Sequence, residues 1–288
     1  MNDNASVLVI GEHNVGKTNY GMQLYGRLRS NNNTSLRLHN TPTTIAPFEL
    51  GLSALNNGRT PAHTPSTAND ELELNIEFNE RQVLLTWPDY GGEQISEILQ
   101  SRSLSEAWQT RIANANGWML FLRLSTIGDS LDAIAHLAPT GKGNTKAKPM
   151  KVDGIETPKP WNSNAKVIEL LQMLLHEKQI GIHDRIKSPA LVVALSCWDE
   201  LNTQERDKPS AILKQHLPLL SEFLTTRWEA QHLSVFGISS LGMAIAENTV
   251  NETLRDEGPE QHGYVILPDG KRTSDLSEPI LWLMEQIS

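Results

Sequence analysis

The residues best suited to chemistry lie near the start of the chain. Eight consecutive residues follow the pattern G-x-x-x-x-G-K-T: Gly11, Glu12, His13, Asn14, Val15, Gly16, Lys17 and Thr18. The two fixed glycines let the backbone curl, so that successive N–H groups point at phosphate oxygens. Lys17 adds a positive charge for the terminal phosphates, and the Thr18 hydroxyl is a suitable magnesium ligand. This segment, here called the phosphate loop, predicts a ligand that carries phosphate groups.

The elements on either side of the phosphate loop have the order that phosphate binding requires. Residues 7–10 form an apolar run typical of a buried strand, and residues 17–29 have the apolar spacing of a helix. The positive end of that helix adds to the attraction for phosphate. An ordinary strand-to-helix turn is the alternative, and the sequence context favours phosphate binding.

A second group of residues follows a predicted hairpin of strands at residues 72–78 and 82–86. Asp89 is placed there to hold magnesium through a water molecule, and the backbone N–H of Gly92 could approach a terminal phosphate. Alone, an Asp-x-x-Gly sequence also fits a plain turn. Its position at a strand end, after a phosphate loop, favours a functional role.

Two further groups follow predicted strands at residues 191–195 and 233–238. Asp199 stands where GTPases carry the aspartate of Asn-Lys-x-Asp, and this resemblance implies that it accepts hydrogen bonds from the N1–H and the amino group of guanine, a donor pattern that adenine lacks. Ser239 and Ser240 could offer a backbone N–H to the guanine oxygen. Each group alone also fits a turn at a strand end. Their order along the chain gives them joint weight.

With these four groups in order, residues 7–241 resemble the translation-factor-related GTPase class, which includes the Ras-like small GTPases. Residues 87–94 are similar to those of the bacterial double-GTPase proteins of conflict systems. The resemblance implies binding of GTP and GDP with Mg²⁺, and switch loops that a partner protein, an effector or a second GTPase, senses. It also implies a switch threonine that closes over the magnesium.

The loop before the hairpin offers several threonines for this switch role. Thr64 and Thr67 lie nearest to the strand at 72–78 and are the preferred candidates. Thr60 lies in the same loop, while Thr43 and Thr44 are further upstream and less favoured. The sequence leaves the choice among them open.

The sequence departs from the GTPase pattern where hydrolysis is concerned. Glu93 stands where Ras-like GTPases have the glutamine that orients the attacking water, and Gln94 is one residue later. Both are candidate catalytic residues, together with Lys17. A carboxylate at this position would repel the γ-phosphate, so slow intrinsic hydrolysis is expected. The side chain of His13 either hinders an arginine finger or points to solvent.

The base-recognition sequence also departs from the pattern. Ser196 replaces the usual asparagine, and Cys197 replaces the lysine whose stem packs on the base. Guanine preference is therefore expected to depend mainly on Asp199. Two other functions stay open: a nearly inactive nucleotide-bound interaction module, and a phosphate-loop ATPase or kinase.

The alternation of strands and helices predicts an α/β fold of the three-layer P-loop NTPase type. We expect one domain over residues 1–288, with a mostly parallel sheet, one antiparallel edge strand and long insertions. Residues 139–164, rich in Lys, Pro, Gly and Thr, are expected to be a surface insertion. Single helices are predicted at residues 95–115 and 212–228.

Composition excludes several classes of function. The net charge of −9 argues against general nucleic-acid binding, because phosphate contacts need clustered basic residues. The single cysteine excludes a disulfide framework within the chain. Apolar runs are shorter than the roughly 18 residues of a membrane span, and the first residues do not fit a signal peptide. A cytoplasmic protein is therefore expected.

Overall fold

The computed structural model of the chain describes residues 5–32, 34–42, 45–59, 61, 71–88, 91–126, 163–201, 208–245 and 249–287. The strands are β1 Ala5–Ile10, β2 Arg37–Leu38, β3 Glu71–Phe78, β4 Arg81–Pro88, β5 Gly117–Arg123, β6 Ala190–Ser196, β7 Leu233–Ser239, β8 Tyr264–Ile266 and β9 Arg272–Thr273. The helices are α1 Lys17–Ser30, α2 Ala46–Asn56, α3 Gly91–Ser101, α4 Glu106–Asn114, α5 Ser163–Glu177, α6 Pro209–His216, α7 Pro218–Arg227, α8 Glu252–Glu257 and α9 Glu278–Gln286.

All of these strands belong to one sheet, in the order β2-β3-β4-β1-β5-β6-β7-β8-β9. The five central strands, from β4 to β7 in this order, are parallel to one another, whereas β3 and β8 run the opposite way. The predicted α/β class and mostly parallel sheet are confirmed. The prediction of a single antiparallel edge strand is wrong. β2 and β9 have two residues each and β8 has three, too short for an alternating pattern to be visible in the sequence.

The helices cover both faces of the sheet and make three layers. On one face, apolar side chains of α3, α4, α5, α6 and α7 pack on the sheet, and on the other those of α1, α2, α8 and α9 do so. Strand β1 shows why both faces are apolar: Leu8 and Ile10 contact the first set of helices, and Val7 and Val9 the second. A central strand of this kind has no polar face, as expected for a parallel sheet covered on both sides.

The predicted single helix at residues 95–115 is wrong, because two helices occupy this region. α3 ends at Ser101, and Arg102 then has a positive φ of 52°, which breaks the helical path. A new helix, α4, begins after Ser105, whose hydroxyl accepts a hydrogen bond from the backbone N–H of Trp108. Serine is a favoured residue at this position because its oxygen satisfies an otherwise unpaired helical N–H.

The predicted single helix at residues 212–228 is likewise wrong. The first helix, α6, begins earlier than predicted, at Pro209, and the second, α7, begins at Pro218. Between them Leu217 has a non-helical backbone, with φ −132° and ψ 65°. The ring of Pro218 disfavours the helical conformation for the residue before it, so the apolar spacing alone could not carry one helix through this point.

The predicted insertion at residues 139–164 lies mostly outside the described residues. Its end was placed too late, because α5 begins at Ser163. Asn164 is buried, and its side-chain oxygen accepts a hydrogen bond from the backbone N–H of Leu220 at 3.0 Å. The composition of residues 139–164 predicts a surface loop, whereas Asn164 at their end uses its polar side chain to join α5 to α7.

Candidate functional site

The phosphate loop lies between β1 and α1, at the edge of the sheet where the central parallel strands end. Its backbone turns through two residues with a left-handed conformation, Asn14 with φ 59° and Gly16 with φ 80°. Glycine adopts this conformation without steric cost, and asparagine tolerates it better than most residues. Gly16 is the residue before α1, so the first turn of the helix faces the end of the loop. This arrangement suits an anion at the helix N-terminus.

Lys17 is buried inside the curve of the phosphate loop. Its side-chain ammonium donates hydrogen bonds to the carbonyl oxygens of Gly11 and Glu12, at 2.8 and 2.6 Å. A buried ammonium needs such partners because desolvation of a charge is costly. Thr18 follows in the first turn of α1 and is half-buried. The predicted residues of the phosphate loop are therefore brought together with a positive charge at their centre.

Asp199 and Ser239, predicted from two separate strand ends, are in direct contact. The Ser239 hydroxyl donates a hydrogen bond to Oδ1 of Asp199 and accepts one from the backbone N–H of Gly242 at 2.9 Å. Ser239 is fully buried. The contact holds one carboxylate oxygen of Asp199 in place and links it to the turn that follows β7, which contains Ser240.

A buried tryptophan precedes Asp199 in the sequence and lies in the core beside β7. Trp198 is fully buried and packs against Gly237 of β7. A methyl group at Gly237 would lie 2.5 Å from the indole ring, so only glycine leaves room for this packing. The orientation of Trp198 fixes the chain direction at the next residue, Asp199. The segment 196–200, here called the base-recognition loop, is thus anchored in the core.

Cys197 lies in the base-recognition loop, next to the phosphate loop. A methyl group at Gly16 would lie 3.5 Å from its sulfur atom. Burial, followed by the negative charge of Glu200, raises the pKa of the Cys197 thiol to about 12. The thiol is therefore protonated at neutral pH, and it is not suited to nucleophilic chemistry.

Arg123, at the end of β5, is a site residue that sequence reasoning missed. Its Nη1 donates to the carbonyl oxygen of Asn14 at 3.1 Å, and its Nε donates to Oε2 of Glu200 at 2.9 Å. A further bond joins Nη2 to Oε1 of Glu200, and the Ser125 hydroxyl donates to Oε2. Burial alone would raise the pKa of Glu200, but hydrogen bonds from Arg123 and Ser125 outweigh burial and lower it. The bond to Glu200 in turn raises the pKa of Arg123.

Lys166, in the first turns of α5, is a second residue that sequence reasoning missed. Its ammonium lies 2.7 Å from Oε2 of Glu12 in the phosphate loop. Neither Lys166 nor Arg123 belongs to a short sequence motif. For Arg123 the available signal was its position at a strand end, because it is the last residue of β5, which ends at the same edge of the sheet as β1.

The residues around the predicted Asp-x-x-Gly sequence are described in part. Asp89 lies outside the described residues, and so do Thr64 and Thr67 with the other candidate switch threonines. The second strand of the hairpin, predicted at residues 82–86, extends to Pro88 in the structure, and Gly91, Gly92 and Glu93 belong to α3. The side-chain oxygen of Gln94 accepts a hydrogen bond from the indole N–H of Trp108 at 2.6 Å.

The family model Double-GTPase 1 matches residues 8–283 of the chain. The chain belongs to the Double-GTPase 1 family. Membership supports a GTP-binding regulatory protein of the phosphate-loop GTPase class that hydrolyses GTP, as the sequence resemblance predicted. The site described above is thus that of a Double-GTPase 1 protein. No curated protein matches the chain.

Several solved structures are similar to this Double-GTPase 1 protein. One is the small GTPase Arl6 (BBS3) of Trypanosoma brucei with bound GppNp, at 13% identity and a TM-score of 0.44, covering 99% of this chain and 97% of that one. Another is the signal recognition particle receptor SRβ-GTP/SRX complex of Chaetomium thermophilum, at 18% identity and 0.39, covering 88% and 97%. A third is the G domain of the FeoB iron transporter of T. maritima, at 12% and 0.31, covering 88% and 96%.

Within the residues that the structure describes, the helices of the Double-GTPase 1 protein are too short or too polar to cross a bilayer. The same part of the chain contains no cluster of three or more His, Cys, Asp or Glu side chains arranged to hold a metal ion.

Proposed function

We propose that this Double-GTPase 1 protein is a regulatory switch that binds GTP with Mg²⁺ and hydrolyses it slowly, while a partner protein senses its switch loops. The observation that carries the proposal is the position of Lys17 and Asp199 at one edge of the sheet. Lys17 occupies the phosphate loop after β1, and Asp199, held by Ser239, follows β6. One strand, β5, separates β1 from β6. A nucleotide laid across this edge would place its phosphates at Lys17 and its base at Asp199.

Magnesium fits the donors available for it. The Thr18 hydroxyl follows Lys17 directly, and hydroxyl and carboxylate oxygens are the ligands that Mg²⁺ prefers. Asp89 and either Thr64 or Thr67 are the further proposed ligands, through the resemblance to GTPases. The ion supplies positive charge that neutralises the phosphates when it is bound.

Slow hydrolysis is proposed from the residues that follow Gly92. Glu93 brings a negative charge to the position where a neutral glutamine is expected, and like charges repel strongly where water is excluded. Gln94 is the alternative candidate, but its carbonyl oxygen is already bonded to Trp108 of α4. We propose that the partner, an effector or a second GTPase, supplies the missing group. The setting proposed is cytoplasmic, in a bacterial defence or conflict system.

The first test is nucleotide binding by calorimetry, with GTP, GDP and ATP in the presence of magnesium. Wild type is expected to bind GTP and GDP tightly and ATP far more weakly, and Lys17→Ala is expected to abolish binding. Lys187→Ala is the matched control, because Lys187 is exposed and precedes β6 at the opposite edge of the sheet. Binding of ATP as tightly as GTP would instead favour an ATPase or kinase, and no binding at all would contradict a nucleotide-dependent function.

Turnover separates the switch from a nearly inactive interaction module, which the Gln94–Trp108 hydrogen bond favours. The measurement is phosphate release in a single turnover, for wild type and for Glu93→Gln. We expect slow release from wild type and faster release after Glu93→Gln, because the variant removes a repelling charge. If neither wild type nor Glu93→Gln releases phosphate, even with a second GTPase added as the partner, this Double-GTPase 1 protein is the nearly inactive interaction module.

A further inference from the structure

The phosphate loop and the base-recognition loop are joined by one side chain. All three nitrogens of the Arg123 guanidinium are engaged: one with the Asn14 carbonyl oxygen in the phosphate loop, and two with the Glu200 carboxylate in the base-recognition loop. A forked guanidinium–carboxylate contact is geometrically specific and stronger than a bond between neutral groups. The two loops therefore cannot separate unless these bonds break.

The partners on each side of Arg123 are themselves held. Glu200 ends the short 3₁₀ turn Trp198–Glu200 and accepts another hydrogen bond from Ser125. Asn14 has a left-handed backbone within the phosphate loop, which directs its carbonyl oxygen toward β5. The link thus joins a backbone carbonyl oxygen of the phosphate loop to a carboxylate that Ser125 also holds.

Cys197, in the base-recognition loop near Gly16 of the phosphate loop, cannot make this connection. Its thiol is a weak hydrogen-bond donor and carries no positive charge. In the GTPase pattern a lysine stands at this position. The sequence change at Cys197 removes a cation from the boundary between the loops, and Arg123 brings one to it from β5.

We infer that Arg123 is a positioning residue for guanine-nucleotide binding, holding the phosphate loop at a fixed separation from the base-recognition loop. The inference rests on the proposed function, since it requires that one nucleotide spans both loops. A preformed separation lowers the ordering cost of binding for a ligand that contacts both ends. A ligand that contacts the phosphate loop alone gains nothing from it. Arg123 therefore contributes to the preference for guanine although it need not touch the base.

The test compares GDP and ADP binding by wild type, Arg123→Met and Arg123→Lys, with ADP measured by displacement of labelled GDP. Methionine retains the apolar stem and loses every donor. We expect GDP affinity to fall about tenfold or more, the effect of losing charged hydrogen bonds, while ADP affinity changes much less. The GDP-to-ADP preference should therefore shrink by about the same factor. Arg123→Lys should recover part of the preference for GDP over ADP, because one ammonium can replace only some of the hydrogen bonds of the forked guanidinium.

A matched control and a second variant exclude a general effect on folding. Arg102→Met removes a similar but exposed arginine–glutamate pair, with Glu169, and should leave GDP affinity unchanged. Glu200→Gln should weaken GDP binding, and Arg123→Met combined with it should be no worse than Arg123→Met alone, because both act through one contact. Calorimetric stoichiometry separates loss of folded protein, which lowers the number of sites, from a change in Kd.

Two results would overturn the inference. One is GDP affinity within twofold of wild type in a fully folded Arg123→Met variant. The other is an equal loss of GDP and ADP affinity, which would mean that Arg123 supports only the phosphate loop. Failure of the proposed function is distinguishable from both, because wild type would then bind no guanine nucleotide or would bind it independently of Lys17.

Discussion

Lys166 forms an ion pair with Glu12 across 154 positions of sequence, with 2.7 Å between the ammonium and a carboxylate oxygen. Each side chain remains about one third exposed. A carboxylate within a phosphate loop would repel the ligand that the loop binds. Lys166 therefore neutralises a charge that otherwise opposes nucleotide binding, and it does so from α5, outside the loop.

Lys166→Ala should weaken nucleotide binding, and GTP more than GDP, because GTP carries more negative charge. We expect a change of roughly fivefold at low salt, falling at high salt because exposed charges are screened. Calorimetry at two ionic strengths measures both effects. The double variant Glu12→Gln with Lys166→Ala should restore most of the affinity. If the double variant binds no better than Lys166→Ala, repulsion by Glu12 is not the cause.

Helix α1 binds the backbone of the segment 259–276 through three buried polar side chains. The bonds run from the side chain to a carbonyl oxygen: Tyr20 to Leu276, Gln23 to Pro259, and Arg27 to His262 and Ser274. Arg27 is fully buried, and burial lowers the pKa of its guanidinium from the ordinary value. The charged form is retained because carbonyl oxygens surround it.

Arg27→Met should destabilise the protein by about 2–4 kcal/mol, since it removes the two hydrogen bonds of a buried guanidinium and leaves two carbonyl oxygens without donors. Tyr20→Phe, which removes one bond, should cost about 1 kcal/mol. Denaturant unfolding measures both free energies. Arg29→Met is the control on the same helix, because Arg29 is exposed, and it should change stability by less than about 0.5 kcal/mol. An effect of Arg27→Met as small as this control would mean that the buried bonds contribute nothing.

Cys197 should react slowly with alkylating reagents in the folded protein. Its pKa is raised from an ordinary 9.0 to about 12, so the thiolate fraction at pH 8 is smaller by about a thousandfold. The greater nucleophilicity of a high-pKa thiolate offsets part of this loss. We expect labelling at least about tenfold slower than in the denatured chain, followed by mass spectrometry. Because this is the single cysteine, the denatured protein is its own control.

The same shift makes stability depend on pH in the alkaline range. A folded-state pKa above the unfolded one means that the folded state retains its proton while the unfolded state loses it. The contribution of Cys197 is therefore fully present below about pH 9 and is lost as pH rises toward about 12. Cys197→Ser should flatten this part of the curve of unfolding free energy against pH. An unchanged slope would assign the alkaline loss to other groups.

Gln94→Leu should destabilise the protein by about 1–2 kcal/mol, because it leaves the indole N–H of Trp108 buried without an acceptor. Thermal or denaturant unfolding measures the effect. Gln100→Leu makes the same change on an exposed position of α3 and should be close to neutral. Equal stability of the two variants would show that the bond to Trp108 does not hold α3 against α4.

The sequence predicted those parts of the site that depend on neighbouring residues. The phosphate loop, with Lys17 and Thr18, follows from one continuous motif between a strand and a helix. Asp199 and Ser239 could be named because each lies at or just beyond the end of a predicted apolar strand. Their mutual contact could not, because it requires knowing that β6 and β7 are adjacent and end at the same level.

The residues that were missed depend on contacts distant in sequence. Arg123 and Glu200 are 77 positions apart, and no local pattern marks either of them. The helix breaks at Arg102 and Leu217 were missed for a local reason. The helical spacing of apolar residues continues through both positions, although the backbone there is not helical. Short strands such as β8 gain their structure from pairing with β7, which their own residues do not specify.

The binding of α1 to the segment 259–276 sets the smallest unit of this protein that can work. A variant cut after Ser240 would retain every predicted nucleotide ligand and lose the carbonyl oxygens that accept from Tyr20, Gln23 and Arg27. An engineer seeking a minimal nucleotide sensor from this scaffold must therefore keep the residues after Gly258, although they carry no motif. Conversely, a partner that displaces the segment 259–276 would also displace α1, the helix that begins at Lys17.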